Sequence, residues 1–545
     1  MSIEDKDRRI VPLKEWDYKW TPLWRGYTDK ILYINVGNRE IREKDVPPVM
    51  KEKFIGGRGY GLKLLWDATK PDTKWNDPEN EIIISSGPIG GITQYSGAGK
   101  SLVVSISPTT DLVIDSNVGG FFGPFLKFAG FDALEMQGKS DRDILIYIDG
   151  INHKVQIYEV IDLETDSHLL AEQLTDMFAD NEQEKKNIGV VTTGIAAEHA
   201  LFGMLNFSFY DPRRKKVRLK QAGRGGIGTV FRNKKIKALV CKVPGVKGNL
   251  NNVVDLEAIT ERGRRFNREM KELDDKQSRM RQVGTAHLME IMNDHDLLPV
   301  MNFQYGSHPD AYKIDSNVWK QKFTQNVFDG CWYGCNMSCC KGVDGFEIRT
   351  GPYKGHRVLV DGPEYENAAG LGANSAIFDP AYVIEANFYC DTYGICTITW
   401  STVTAFIMEC FQRGILTKER AMGFEVHFGD ADRALELLHM TAHGEGFGKI
   451  AGLGVRKMKQ MFIEKGWGDP QLLFDIAMEN KGLEYSQYMS KESLAQQGGY
   501  AMTNKGPQHD EAWLIFMDMV NNQIPTFEDK AEALHYFPMF RTWFG

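Results

Sequence analysis

Four of the chain's eight cysteines fall within the ten residues 331 to 340, Cys-Trp-Tyr-Gly-Cys-Asn-Met-Ser-Cys-Cys, and the other four lie scattered. Thiols spaced this closely cannot all pair with one another without strain, whereas an iron–sulfur cluster or a zinc ion draws several sulfurs to one point. The stretch reads as a metal-binding loop, with iron–sulfur ahead of zinc and buried, inert thiols as the bland alternative. Such a loop needs a scaffold, and 545 residues supply about three domains and enough material to enclose a large cofactor. Bunched cysteines also suit a reducing compartment better than a disulfide framework.

Lysine and arginine total 65 against 73 aspartates and glutamates, a net charge of −8. That balance gives no general electrostatic reason to expect nucleic acid or an anionic membrane as partner. The basic runs Arg213 to Lys216 and Lys234 to Lys237 read as solvated faces. The charged start, Met-Ser-Ile-Glu-Asp-Lys-Asp-Arg-Arg, is followed by no apolar core of signal-peptide length, and no later stretch is long enough to span a bilayer. The expectation is a cytoplasmic protein with no membrane span.

The first third is rich in β-formers, at residues 31 to 36, 82 to 84, 102 to 106 and 144 to 148, separated by glycine and proline. Gly56-Gly57-Arg58-Gly59-Tyr60-Gly61 precedes a helical apolar pattern and suits either an anion at a helix start or a tight turn; it lacks the strand and acidic residue of a dinucleotide fingerprint. Further glycine stretches follow: Ser96 to Lys100, Ser116 to Gly123 with Gly119 and Gly120, and Gln221 to Gly228 with Ala222, Gly223 and Arg224. Glycines let backbone approach a ligand, and Lys100, Asn117 and Arg224 add charge and amide hydrogen bonds, so together they read as a surface for a polyanionic cofactor.

The string from Ser116 through Gly130, the Gly223-Arg224-Gly225-Gly226-Ile227-Gly228 stretch with the following Lys234-Lys235-Ile236-Lys237-Ala238 run, and the clustered cysteines together resemble the tungsten-dependent aldehyde ferredoxin oxidoreductase family, in the same order from about residue 28 to the end. The resemblance implies an α+β fold: a β-sheet-rich pterin-binding base (28–245) after an N-terminal extension (1–27), then two mainly helical domains (246–445 and 446–545). It implies two molybdopterins holding one tungsten, or molybdenum, and a [4Fe–4S] cluster. Lys100 then lies near a pterin phosphate, Asn117 and Ala222 give oxygens to a phosphate-bridging Mg2+, and Arg224 stands beside them. Cys331, Cys335 and Cys339 become cluster ligands, with Cys340 in reserve.

Past residue 250 the pattern turns helical, and His287 and Glu290, one turn apart, read as part of a solvated helix. Gly362-Pro363-Glu364-Tyr365-Glu366 could line a pocket in which burial lifts a carboxylate into general-base range, though composition alone favours an exposed acidic loop. The resemblance places Glu366 beside the tungsten with Tyr365 next to it. Asp391 and Gly394, in Cys390-Asp391-Thr392-Tyr393-Gly394-Ile395-Cys396, match the family's Asp-x-x-Gly-Leu pterin pattern with isoleucine for leucine; without it they read as a helix with a glycine cap. His509, otherwise a surface histidine, falls where the family has one near the substrate oxygen.

No cysteine follows Cys410, and the chain stops at Arg541-Thr542-Trp543-Phe544-Gly545 before the family's second Asp-x-x-Gly-Leu motif, so the last domain is expected to be incomplete. The activity implied is oxidation of an aldehyde to a carboxylic acid, with electrons passing through the cluster to ferredoxin or a small iron–sulfur subunit, in a homo- or hetero-oligomer. Alternatives are low-potential reduction of an acyl-CoA or aromatic thioester and, from another class, an electron-transfer or scaffold subunit with a vestigial site.

Overall fold

The computed structural model describes residues 9–325, 327 and 329–544. Its first 242 residues build two sheets. One has six strands in the order Glu40–Asp45, Lys30–Asn35, Ala133–Gln137, Ile82–Ser85, Ser101–Ile106, Val113–Val118, antiparallel except where Lys30–Asn35 runs beside Ala133–Gln137. The other has seven: Ile10–Asp17, Lys154–Val160, Ile144–Asp149, Ile236–Lys242, Ile188–Thr192, Leu205–Asp211, Lys216–Ala222, with one parallel pair, Ile144–Asp149 and Ile236–Lys242. Central strands such as Ile236–Lys242 and Leu205–Asp211 are buried along their whole length, which is why they read as near-continuous apolar runs.

The expected strands are therefore present, each within a residue or two of its predicted place. The segment taken as an N-terminal extension differs: Ile10–Asp17 pairs antiparallel with Lys154–Val160 and forms an edge of the seven-stranded sheet. Buried at Ile10 and mostly exposed or half-exposed after it, this strand suits an edge with one wet face. The helix Phe122–Ala129 is buried at every position, and its phenylalanines share one core with residues of both sheets. Gly130, at φ +116, ends it where a side chain would be strained.

Beyond residue 250 the fold is mainly helical, and a second core gathers Pro380–Tyr393, Thr397–Gln412, Ala431–His443 and Val455–Glu464. The first of these starts at an Asp379 cap with Pro380 in its first turn, and ends at Gly394 with φ +73. His287 and Glu290 do not meet: the His287 ring contacts the Gly284 carbonyl, while Glu290 accepts from Arg279 and the Ser316 amide, in keeping with a structural helix. Among the described residues no helix is long and apolar enough to cross a membrane.

Candidate active site and cofactor cradle

Glu364 caps a short turn, Tyr365–Asn367, that widens into a π-helical turn at Ala368–Gly372, a distortion common at functional sites. This directs Glu366 inward, where it is 9% exposed. Its Oε2 accepts the Gln487 amide at 2.9 Å, and Oε1 lies 3.2 Å from His509 Nδ1 without a well-aligned hydrogen bond. His509 stands in turn 3.1 Å from the Ser486 hydroxyl. Tyr365 donates its phenol to the Gln487 carbonyl at 2.6 Å, so it is a positioning group rather than a free acid. The Tyr488 ring lies 5.1 Å from Tyr365 and 5.8 Å from His509, with Trp513 beyond it. Burial, then the Glu366 carboxylate, pushes the Tyr365 and Tyr488 phenols well above their ordinary range. The result is a carboxylate facing an imidazole in an aromatic recess, and the exposed acidic loop that composition favoured is not formed.

A buried ionic knot lies nearby. Arg58 donates to Asp115 at 2.9 Å, and Lys505 reaches Asp115 at 3.0 Å, Asp510 at 2.9 Å and Glu511 at 3.2 Å. Burial opposes ionisation of Asp510, but Lys505 and Arg58 hold its carboxyl down to about 2. The sequence reading missed this group; an arginine amid glycines and the charged run around His509 were its only signals. Glycines 59 and 61 serve packing, since a Cβ would stand 2.1 Å from the Phe54 carbonyl oxygen and 2.4 Å from Val104 Cγ2 respectively. The Gly56 to Gly61 stretch is thus a close-packed helix start, with Arg58 as its chemical group.

Several side-chain atoms around this knot are buried without a hydrogen-bond partner: Arg224 Nε and Nη1, Arg58 Nη1, Asp510 Oδ1, Gln221 Nε2 and Gln508 Nε2. Buried polar groups are normally satisfied, so such a concentration could hold a polar ligand. Arg224 is held with its third nitrogen on the Glu484 and Pro507 carbonyls. Gly223 and Gly97 face open space where a Cβ would meet nothing within 4 Å, and Asn117 lies 3.4 Å from Asp510. Ala222 is buried at the end of its strand, opposite Leu205. These residues fit an anionic, many-armed group.

Other expected cofactor residues have different surroundings. A Cβ on Gly119 would stand 2.8 Å from Cys331 Cβ, so it admits the cysteine loop, while one on Gly120, at φ +84, would stand 2.9 Å from Phe207 of the base strand; the Gly120 amide donates to the Cys331 carbonyl. Gly394 is a helix cap pressed against Gly194. Lys100 is exposed, and its charge acts on Cys331. Asp391 accepts from the Asn387 amide at 3.2 Å, and burial, then the nearby Asp361 charge, pushes its carboxyl well above its ordinary range.

The four clustered cysteines share one loop against the base, with Trp332 packed on Phe121 and Phe125. They stand as two pairs. The hydrogen bond from Cys331 lowers Cys335 to about 6, and that from Cys339 lowers Cys340 to about 7, with Lys220 adding a favourable charge. Convergence on one point was expected; among the described residues no three histidine, cysteine or acidic groups are placed to share a metal ion. The chemistry of the donor set suits iron or zinc. Beneath the loop, Arg214 and Arg218 clasp Asp329, whose amide binds Ser338, while Arg218 and Lys220 overcome burial to hold Asp361 down to about 2.

Fold and site together define a protein with a buried, partly unsatisfied polar recess between a sheet base and a helical body, beside a cysteine loop. Residues 31–243 match the aldehyde ferredoxin oxidoreductase N-terminal domain, and 261–545 match domains 2 and 3 of the same family. The chain belongs to the aldehyde ferredoxin oxidoreductase family, and so to the oxidoreductases. Tungsten-containing aldehyde ferredoxin oxidoreductases of Pyrococcus horikoshii and Pyrococcus furiosus are 29% and 28% identical, over 90% of this chain and 75% of theirs. An aliphatic sulfonate oxidoreductase, WOR-like subunit, of Pyrococcus furiosus is 29% identical over 79% of this chain and 66% of that protein. The active-site complex BamBC of benzoyl coenzyme A reductase shares the fold, with a TM-score of 0.65 at 20% identity, over 85% of this chain and 66% of its own.

Proposed function

We propose that the chain oxidises an aldehyde to the carboxylic acid at a tungsten bis-molybdopterin, releasing electrons to a small iron–sulfur carrier through a [4Fe–4S] cluster for which Cys331, Cys335 and Cys339 would be ligands, with Cys340 in reserve, once the loop closes around it. In balance, aldehyde and water give acid, two protons and two electrons. The observation that carries the reading is the Glu366 carboxylate 3.2 Å from His509 in a recess bordered by the unpaired polar atoms of the cradle. The metal–pterin group, when bound, supplies the two-electron redox step.

The chain's own residues would bind, orient and move protons. Arg224, Gly223 and Arg58 would hold the anionic arms, Asn117 and the Ala222 carbonyl would offer oxygens to a Mg2+ ion, and Asp391 would take a polar edge of the pterin. Glu366 Oε1 takes a proton as water adds to the carbonyl carbon, and His509 steadies the oxygen that gains charge. Tyr365, fixed on the Gln487 carbonyl, keeps the Glu366 turn in place. All eight cysteines are free, which suits a reducing, cytoplasmic setting.

Reduction of an aromatic thioester is the second reading; the Tyr488 ring beside His509, backed by Trp513 and then Phe516, favours it, and the neighbour's name is benzoyl coenzyme A reductase. Protein purified anaerobically from a host that supplies tungsten and pterin is expected to contain tungsten and iron and to reduce viologen with aldehyde. Metal-loaded protein inert to aldehydes but active on a thioester would replace the first reading with the second. Iron without tungsten or molybdenum would leave an electron-transfer subunit.

A further inference from the structure

Tyr500 belongs to the helix Leu494–Met502 and is 1% exposed, yet among the described residues its phenol oxygen has no hydrogen-bond partner. A buried hydroxyl without a partner is costly, so it is either a packing compromise or a donor kept for something that arrives. Its place in the fold favours the second. The Tyr500 ring stacks on Tyr485 at 5.4 Å, and Tyr485 opens the three-residue segment that sets the recess: the Ser486 hydroxyl stands 3.1 Å from His509, and the Gln487 amide donates to Glu366 at 2.9 Å. One short stretch of chain therefore holds the carboxylate, the imidazole and this phenol together.

Tyr365, by contrast, has spent its phenol on the Gln487 carbonyl. The groups that face the Tyr500 phenol come from both sides of the site. Burial, then the Glu366 carboxylate, pushes it well above its ordinary range, the Ser486 hydroxyl and the Arg224 charge act in the opposite sense, and Ser486 stands close without a well-aligned hydrogen bond. The phenol therefore keeps its proton where the catalytic recess meets the cradle. Its helix is held firmly. Ser493 caps the first turn and donates to Asp518, Gln496 donates to the Ala512 carbonyl and accepts the Leu514 and Ile515 amides, and the Tyr500 carbonyl accepts from Asn480 at 3.0 Å. A donor fixed in this way is already oriented when a ligand oxygen arrives.

We propose that Tyr500 is a substrate-binding residue whose phenol donates a hydrogen bond to the carbonyl oxygen of the aldehyde and, after oxidation, to the carboxylate product, as a second donor beside His509. The inference rests on the aldehyde reading above and adds a residue which that reading does not use. Tyr500 keeps its proton throughout, so its loss weakens the hold on the reacting oxygen without altering the balance of protons and electrons.

The test uses the metal-loaded holoenzyme with acetaldehyde and benzaldehyde as substrates and acetate and benzoate as product ligands. In Tyr500→Phe, kcat/KM for the better aldehyde should fall at least about ten-fold. The Kd of its acid, by calorimetry, should rise about ten-fold. Tungsten and pterin content should be unchanged, and the thermal midpoint of the substrate-free holoenzyme should be equal or higher, because the variant removes an unpartnered buried hydroxyl. An unchanged kcat/KM, a fall traced wholly to lost pterin, or a lower midpoint overturns the proposal, the last because the phenol would then serve the fold. If the loaded parent is inert to both aldehydes, the functional reading has failed and the acids decide alone. Binding of either acid by the parent that weakens in Tyr500→Phe supports Tyr500 as a donor to a ligand oxygen, whereas no binding, or equal binding by both proteins, overturns it.

Discussion

At the scale of single residues, the site rests on groups whose partners are incomplete. Glu366 presents one oxygen to His509 and fixes the other on a backbone amide, an arrangement that keeps a proton acceptor aimed while leaving it free to react. Glu366→Gln should lower kcat by about 10²–10⁴-fold with metal and pterin content unchanged, measured as viologen reduction beside elemental analysis. Arg224→Gln should do the reverse, leaving folding near intact but lowering bound pterin, read from the fluorescence of pterin released and oxidised. Glu366 and His509 were legible in the sequence only through the company they keep, since a carboxylate in a glycine–proline loop and a lone histidine look like surface on composition alone. The Arg58–Asp115–Lys505 knot was not legible, because its members lie 57 and 390 positions apart and no periodicity links them.

Among elements, close approach of backbone decides most of the glycines. The helix Gly57–Ala68 lies on the strand Ser101–Ile106 through Gly61, so Gly61→Ala should cost about 1–3 kcal/mol, seen as a lower urea midpoint with an unchanged slope. The sequence showed a glycine string and a helix start, but whether each glycine served a ligand or a neighbour was hidden until the strand opposite was in place. Glu81, just before the strand Ile82–Ser85, offers a pH test. Burial, then the charge of Glu135, raises its folded carboxyl to about 8 from 4.5. The folded state therefore keeps a proton that the unfolded chain loses, and Glu81 becomes progressively more destabilising as pH climbs through that window. Relative to the parent, Glu81→Gln should gain about 1–3 kcal/mol between roughly pH 5 and pH 8, and little more above it, in urea titrations at each pH.

For the molecule as a whole, residues from the base and from past position 500 enclose one seat, so stability and assembly of the site are coupled. Lys505→Met leaves Asp115 and Asp510 short of a buried cation; a loss of about 3 kcal/mol and earlier proteolysis of the 494–544 region are expected, by thermal melts and timed trypsin digestion. The two-part α+β layout was readable because strand-like and helix-like patterns occupy different stretches, whereas the order of strands across each sheet depends on pairings the chain makes at long range. The helix Phe122–Ala129 carries a last consequence. It has no wet side on which to relieve a misfit, so a methyl group too many there would press on two sheets at once. The glycines just ahead of it inherit that immobility: the step against which the cysteine loop rests is anchored like a keystone, and any adjustment there must come from the loop.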